Sequence, residues 1–237
     1  SEYTKKDVLE FFKFLYPKQI KVVPLSTGKK YYQETNLNII KDIKIKYSIP
    51  FEKKYVFSLC ALEERKNLPF AVKAFIEFIQ KNNINDLFYV LGGDHKGRLE
   101  PVLRKEIPDY NNYKDKIISI GYVADKDLSA LYSGAEMFIF PSLYEGFGIP
   151  VLEAMQCGCP VITSNTSSLP EVIGDAGLQI SPTNSEELVS AMEKLYFNEA
   201  LKNNFSRQGI KRAKLFTWES CADIIAEEIL KSGVKDE

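Results

Sequence analysis

The sequence predicts an α/β fold in which a parallel sheet carries helices on both faces. Three observations predict it. Short apolar runs alternate with longer amphipathic ones through the middle of the chain. Glycines close several of the runs, as at Gly92-Gly93 and Gly121. Prolines stand where helices would begin, at Pro150 and Pro170.

Taken in order, residues 1–20 give an amphipathic helix carrying Val8, Leu9, Phe11, Phe12 and Leu15, followed by a strand over Ile20–Val23. Tyr55–Leu59 reads as a buried strand. Leu68–Lys81 carries Phe70, Ala71, Ala74, Phe75, Phe78 and Ile79 at helical spacing. Leu87–Leu91 is the next strand. A helix is expected near Arg98–Lys105, stopped before Pro108. Ile117–Ile120 is a strand, and Leu128–Tyr132 a short helix capped by Asp125 or Asp127. The strand Met137–Phe140 leads through a loop into a helix over Pro150–Gln156, with Gly158 near its end. The strand Val161–Thr163, a short helix at Pro170 and the strand Leu178–Ile180 complete the alternation. Three helices follow: one from Ser185 to about Tyr196, then Leu201–Leu215, then Trp218–Leu230 with Thr217 as cap. Ligands of such folds bind at the carboxyl ends of the strands, which directs attention to loops 60–67, 92–97, 121–127 and 141–149.

Composition bounds the function. The 237 residues suit one large domain, or one domain plus part of another. Lys+Arg (31) nearly balances Asp+Glu (32), so no global field favours nucleic acid or an anionic membrane. No apolar run is long enough to span a bilayer, and the polar start has no signal-peptide core. The first residue, Ser1, is not a methionine, which fits a segment excised from a longer protein. Cys60, Cys157, Cys159 and Cys221 form no CxxC pair, and His95 is alone. A zinc site or a disulfide framework is therefore not expected, and a reducing cytoplasm fits.

The segment from Ser142 to Glu153 holds the most chemistry. A strand ends, and a loop with Gly146 and Gly148 leads into a helix. Glycines let backbone approach a ligand, and a helix start offers free N–H groups and a positive dipole end, which suits phosphate. Glu145 and Glu153 flank this turn, and carboxylates accept paired hydroxyl hydrogen bonds from a sugar or a ribose. A lone acid would read as an electrostatic aid to the helix start, but the glycines and the second acid tip the reading toward a site. Arg65 and Lys66, at the carboxyl end of the first central strand, suit a diphosphate, although with Glu63 and Glu64 they also read as a solvated charge run. Gly121-Tyr122-Val123 reads as an ordinary strand end or as backbone lying against a nucleobase edge, and Gly92-Gly93-Asp94 is equally open. Asp125-Lys126-Asp127 has the spacing of a metal motif, yet it opens a helix, so capping is the better reading.

These residues carry a resemblance. The run from Ile117 to Glu171 resembles the donor-binding domain of glycosyltransferase family 4, a group of retaining GT-B enzymes. Glu145 and Glu153 match that family's Glu–seven–Glu motif, and PSLYEGFGIPVLEAMQCGCPVITSNTSSLPEV (141–172) is similar to it nearly throughout. ALEERKN (61–67) resembles the family's Arg-Lys diphosphate clamp, and GYVADKDLSALYSGA (121–135) its base-binding segment. In all, the resemblance spans roughly residues 20–230.

The resemblance implies a Rossmann-like doubly wound parallel sheet, the C-terminal half of a GT-B fold. Residues 1–20 would be the tail of an N-terminal acceptor domain, residues 21–216 the nucleotide-sugar domain, and residues 217–237 a final helix crossing back. Arg65 and Lys66 would hold the diphosphate, with Glu145 on the donor sugar; these three are the catalytic candidates. Gly146, Phe147, Gly148 and Ile149 would bind the distal phosphate and sugar hydroxyls through backbone groups, and Glu153 the ribose. Tyr122 and Val123 would lie near the base. Cys60 stands where the family usually has Gly, and Cys157 and Cys159 read as packing. No metal or other cofactor is implied; the donor substrate would be a UDP- or GDP-linked hexose. The acceptor, a glycan or lipid-linked saccharide, would come through the N-terminal domain, so this segment alone would bind donor without transferring it. The implied setting is bacterial polysaccharide synthesis in the cytoplasm, extending to peripheral contact at the inner face of the membrane. Rival readings are a GT-B epimerase or phosphorylase domain, and a non-catalytic nucleotide- or carbohydrate-binding module. A dinucleotide-binding dehydrogenase is set aside, because no G-x-G-x-x-G follows the first strands.

Overall fold

A computed structural model of the chain describes residues 1–59, 61–93 and 97–233. Its centre is a six-stranded sheet of β1 (Lys54–Leu59), β2 (Leu87–Gly92), β3 (Ile117–Gly121), β4 (Met137–Phe140), β5 (Val161–Ser164) and β6 (Leu178–Ile180). Every pairing is parallel, and the spatial order is β3-β2-β1-β4-β5-β6. The chain therefore winds outward from β1 to β3, then returns to β1's other side as β4. Connections on the two sides of that reversal leave in opposite directions, which opens a crevice above the carboxyl ends of β1 and β4.

The helices are α1 (Glu2–Phe11), α2 (Leu37–Lys46), α3 (Leu68–Lys81), α4 (Leu99–Glu106), α5 (Tyr110–Tyr113), α6 (Asp125–Ser133), α7 (Ile149–Gln156), α8 (Leu169–Ile173), α9 (Ser185–Tyr196), α10 (Glu199–Ala213) and α11 (Trp218–Gly233). Because side chains alternate across a strand, each central strand feeds two cores. On one face Val56, Tyr89 and Ile139 pack under α3 and α9, against Phe75, Phe78, Leu188 and Met192. On the other Phe57, Phe138 and Phe140 pack under α6, α7 and α8, against Tyr132, Leu152, Met155 and Val172. The sheet is covered on both faces, which is why its strands read as unbroken apolar runs.

The caps follow their chemistry. Asn184 accepts from the amides of Glu186 and Glu187 at the start of α9, so the cap lies one residue before the expected Ser185. Thr217 Oγ1 accepts from the Ser220 amide at 3.0 Å, as expected for the start of α11.

Two further expectations are corrected. Ile20–Val23 forms no strand: residues 20–28 join no helix or sheet, and the sheet's edges are β3 and β6. Contact anchors this segment in place of a ladder, for Ser26 Oγ donates to the Phe216 carbonyl at 2.7 Å beyond α10. Asp125 and Asp127 do not cap α6. They sit inside its first turn, where Ala124 is the flanking residue. The Asp127 carboxylate instead takes Lys46 Nζ at 2.5 Å and the Tyr47 hydroxyl at 2.8 Å, fastening α6 to the end of α2. No helix of the described residues is long and apolar enough to cross a membrane.

Candidate functional site

Three loops converge at the strand reversal. The loop after β1 makes a tight turn over Glu64–Lys66 and enters α3 through Asn67, whose φ of 57° is left-handed. Asn67 spends its side-chain amide across the crevice, donating to the carbonyls of Pro141 (3.2 Å) and Pro182 (2.8 Å). The loop after β4 is stitched to it by the Leu143 amide, which donates to the Arg65 carbonyl at 2.7 Å. The loop after β5 fixes Glu145 from the other side. Ser167 Oγ accepts from the Glu145 amide at 3.0 Å, and Ser168 Oγ donates to the Glu145 carbonyl at 2.9 Å. With its backbone held twice, Glu145 has little freedom of direction.

Its carboxylate points at both cations. Lys66 Nζ lies 2.6 Å from Glu145 Oε1, and an Arg65 guanidinium nitrogen 3.0 Å from Oε2. Arg65 also pairs with Glu63 at 2.8 Å. Lys66 and Glu145 are buried, whereas Arg65 is half-exposed, so the cluster runs from the interior to the crevice mouth. The ammonium of Lys66 also sits 4.9 Å from the centre of the Phe140 ring. Removing a lysine from water is costly without such partners.

Beyond Glu145 the chain turns into α7 through Gly148, at φ 104°. A Cβ there would meet Leu169 Cδ2 at 2.7 Å, so both backbone and space require glycine. Gly146 is different, for a Cβ on it would meet nothing within 4 Å. Among the described residues no group accepts a hydrogen bond from the amides of Phe147, Gly148 or Ile149. Orphan donors at a helix start, in line with its dipole, attract an anion. They border a cavity of about 530 Å³ that Glu145 and Gly146 also line.

Glu153 lies one turn into α7 and is buried. The Tyr132 hydroxyl donates to its Oε2 at 3.0 Å, and the Tyr31 phenol stands beside it. Burial raises its carboxyl above the ordinary carboxylate value, and the two phenols offset only part of that rise. Tyr132 is itself pushed well up by burial and by the adjacent Glu153. Tyr122 and Val123 stand apart, after β3: Tyr122 is 75% exposed, while Val123 is buried in the core. Arg65, Lys66 and Glu145 thus meet directly, Gly146–Ile149 adjoin them, and Glu153 has its own phenol pair. Cys60 and Asp94–Lys96 lie outside the described residues. Among the described residues no group of three or more His, Cys, Asp or Glu is placed to hold a metal ion.

One part of this neighbourhood escapes sequence reasoning. The start of α1 docks on the Glu145 loop: Ser1 Oγ and Thr4 Oγ1 each donate to the Gly146 carbonyl at 3.1 Å. Glu171 of α8 accepts from the Glu2 and Tyr3 amides at 2.8 and 2.7 Å, and the Tyr144 hydroxyl donates to Asp7 at 2.5 Å. Ser1 and Thr4, three apart before an amphipathic run, carry a capping signal; the long-range role of Glu171 has none.

The fold is the Rossmann-like α/β fold of the GT-B glycosyltransferases. Over 98% of its length the chain superposes on 62% of Anabaena Alr3699/HepE, crystallised with UDP, at a TM-score of 0.84 and 16% identity. It matches 95% of the C-terminal domain of LpcC, a glycosyl transferase group 1 protein from Francisella tularensis, at a TM-score of 0.65 and 23% identity, over 79% of its own length. The family model for glycosyl transferases group 1 matches residues 39–212, and the chain belongs to that family. Its curated relatives include two proteins of Escherichia coli. It is 30% identical to O-antigen chain mannosyltransferase B over 93% of this chain, and 34% identical to the serotype-specific mannosyltransferase WbdA over 79%. The chain spans 56% of the first and 23% of the second.

Proposed function

We propose that this chain is the donor-binding part of a retaining family 4 glycosyltransferase that moves a hexose from a nucleoside-diphosphate sugar to a glycan or lipid-linked acceptor. The observation that carries the reading is the convergence of Arg65, Lys66 and Glu145 beside the unpartnered amides at the start of α7. Two cations and a row of free N–H groups suit a diphosphate, and the leaving diphosphate gains negative charge as the glycosyl bond breaks. Glu145 pairs with the cations and lines the cavity, and it would accept hydroxyls of the donor sugar. Glu153 serves the ribose, and Tyr122 with the Val123 backbone the base. Among the described residues no side chain offers itself as a covalent nucleophile, which accords with same-face attack assisted by the leaving phosphate.

The relatives' names favour mannose as the hexose, and the UDP complexes of HepE support a nucleotide-sugar donor. The acceptor half would precede residue 21, with residues 1–20 its tail and residues 217–237 the helix returning to it. The whole protein would work in the cytoplasm, with any membrane contact made through that other half.

The test is calorimetric titration of UDP, GDP and their hexose conjugates into the wild type and Glu153→Ala. One diphosphate should bind, and the variant should bind it at least tenfold more weakly, as expected for losing hydrogen bonds to a charged group. Equal affinity in the variant would remove the ribose role. Absence of binding to the wild type, both for this chain and for a longer chain carrying the acceptor half, would overturn the reading.

A further inference from the structure

We infer that Tyr132 and Tyr31 are positioning residues that aim Glu153 at a vicinal diol, and so set the preference of this site for ribonucleotides over 2′-deoxyribonucleotides. The inference rests on the donor reading above and extends it to residues which that reading leaves as core.

Glu153 makes no ion pair among the described residues; its hydrogen-bond partner there is the Tyr132 phenol, and the Tyr31 phenol stands beside it. A carboxylate offers about four acceptor positions. One is taken by the Tyr132 hydroxyl, and those that remain suit the two adjacent hydroxyls of a ribose.

The Tyr132 phenol is a rigid strut. It is fully buried, with its ring edge-on to Phe57 at 5.4 Å and to Phe138 at 5.2 Å between centroids. Those two rings belong to β1 and β4, the strands that flank the reversal. A ring wedged in close-packed surroundings cannot follow a moving carboxylate, so the carboxylate must conform to the ring. Tyr31 approaches from the loop before α2. Its backbone is clamped at both ends, by its amide on the Gly28 carbonyl at 3.3 Å and by Gln156 Nε2 on its own carbonyl at 2.7 Å. Gln156 is the last residue of α7, the helix that bears Glu153. The three groups therefore hang on one framework of β1, β4 and α7.

A polar cluster that merely filled the core would affect every ligand of the site alike. A positioning cluster acts only on the ligand group that Glu153 touches. That difference supplies the test.

The bound diphosphate (UDP or GDP) and its 2′-deoxy counterpart are titrated by calorimetry into the wild type, Tyr132→Phe and Tyr31→Phe. The wild type should prefer the ribonucleotide about tenfold or more, the worth of a hydrogen bond to a charged acceptor. In Tyr132→Phe the ribonucleotide should weaken about five- to tenfold and the deoxynucleotide less than about twofold, so that the preference collapses. Tyr31→Phe should act in the same direction, and it serves alone if Tyr132→Phe does not fold. An unchanged ratio in both variants, or parallel weakening of both nucleotides, overturns the positioning role while leaving the donor site standing. Lack of any preference in the wild type overturns the ribose role of Glu153 and this inference with it. Failure of the wild type to bind either diphosphate sinks the donor reading itself.

Discussion

Replacing Glu145 by Gln should destabilise the ligand-free protein and tighten its grip on a sugar-free diphosphate. The substitution keeps size and one acceptor oxygen but removes the charge that Lys66 and Arg65 share. Breaking a fully buried ion pair from one side costs about 3–5 kcal/mol. Here the Arg65 side chain is 43% exposed, so water screens its share to at most about 1 kcal/mol. Lys66, only 10% exposed, keeps the Phe140 ring and the glutamine oxygen. A net cost of about 2–3 kcal/mol follows, or a fall in Tm of roughly 4–12 °C for a chain of this size. An incoming diphosphate meets two cations freed of their own carboxylate. Recovery of about half the lost pairing energy would tighten UDP or GDP about tenfold. Thermal unfolding with and without the nucleotide, beside calorimetry, reads both quantities. A variant as stable as the wild type that also binds no more tightly would refute the view that Glu145 neutralises these cations.

Other outcomes follow from the same geometry. Gly148→Ala should cost about 2–4 kcal/mol in urea unfolding, because alanine is strained at φ 104° and its Cβ meets Leu169 at 2.7 Å; a cost below about 0.5 kcal/mol would speak against the turn. Burial raises the Asp127 carboxyl, but hydrogen bonds from Lys46 and Tyr47 outweigh it and leave the group below its ordinary value of 3.8. Its stabilising share is thus present above that value and lost as pH falls through the lower folded-state value, so the gap of about 1 kcal/mol between wild type and Asp127→Asn at pH 6 should narrow as pH falls below 3.8. Glu171→Ala should speed hydrogen exchange of the Glu2 and Tyr3 amides, at a cost of about 0.5–2 kcal/mol local to α1, without moving the global midpoint.

The residues that follow one period are legible in the sequence. Met137–Phe140, the glycine turn and Pro150 lie in one local run, and β4, loop and α7 appear where that run places them. Leu68–Lys81 is a helix over that span because six of its apolar residues share one face. Segments with competing periods are not legible. In α2, Ile43-Lys44-Ile45-Lys46 alternates like a strand, yet Ile40, Ile43, Lys44 and Tyr47 turn inward at helical spacing. Ile20–Val23 has the residues of a strand, but a strand needs a partner, and local composition does not reveal that neither sheet edge takes it. At the site, the kinds of residue are visible and their pairing is not. Lys66 and Glu145 are 79 positions apart, and only the β1–β4 adjacency brings them within 2.6 Å. The rings of Tyr31 and Tyr132 belong to the core, and the hydroxyls at their tips become meaningful only once Glu153 is placed beside them.

The central claim is that Lys66 and the start of α7 receive a diphosphate. Its most direct test is calorimetry of a nucleoside diphosphate and the matching monophosphate on the wild type and Lys66→Met. The wild type should prefer the diphosphate by about tenfold or more, and the variant should lose this preference while holding the monophosphate nearly as before. Equal weakening of both nucleotides, or a preference that survives in Lys66→Met, would contradict it.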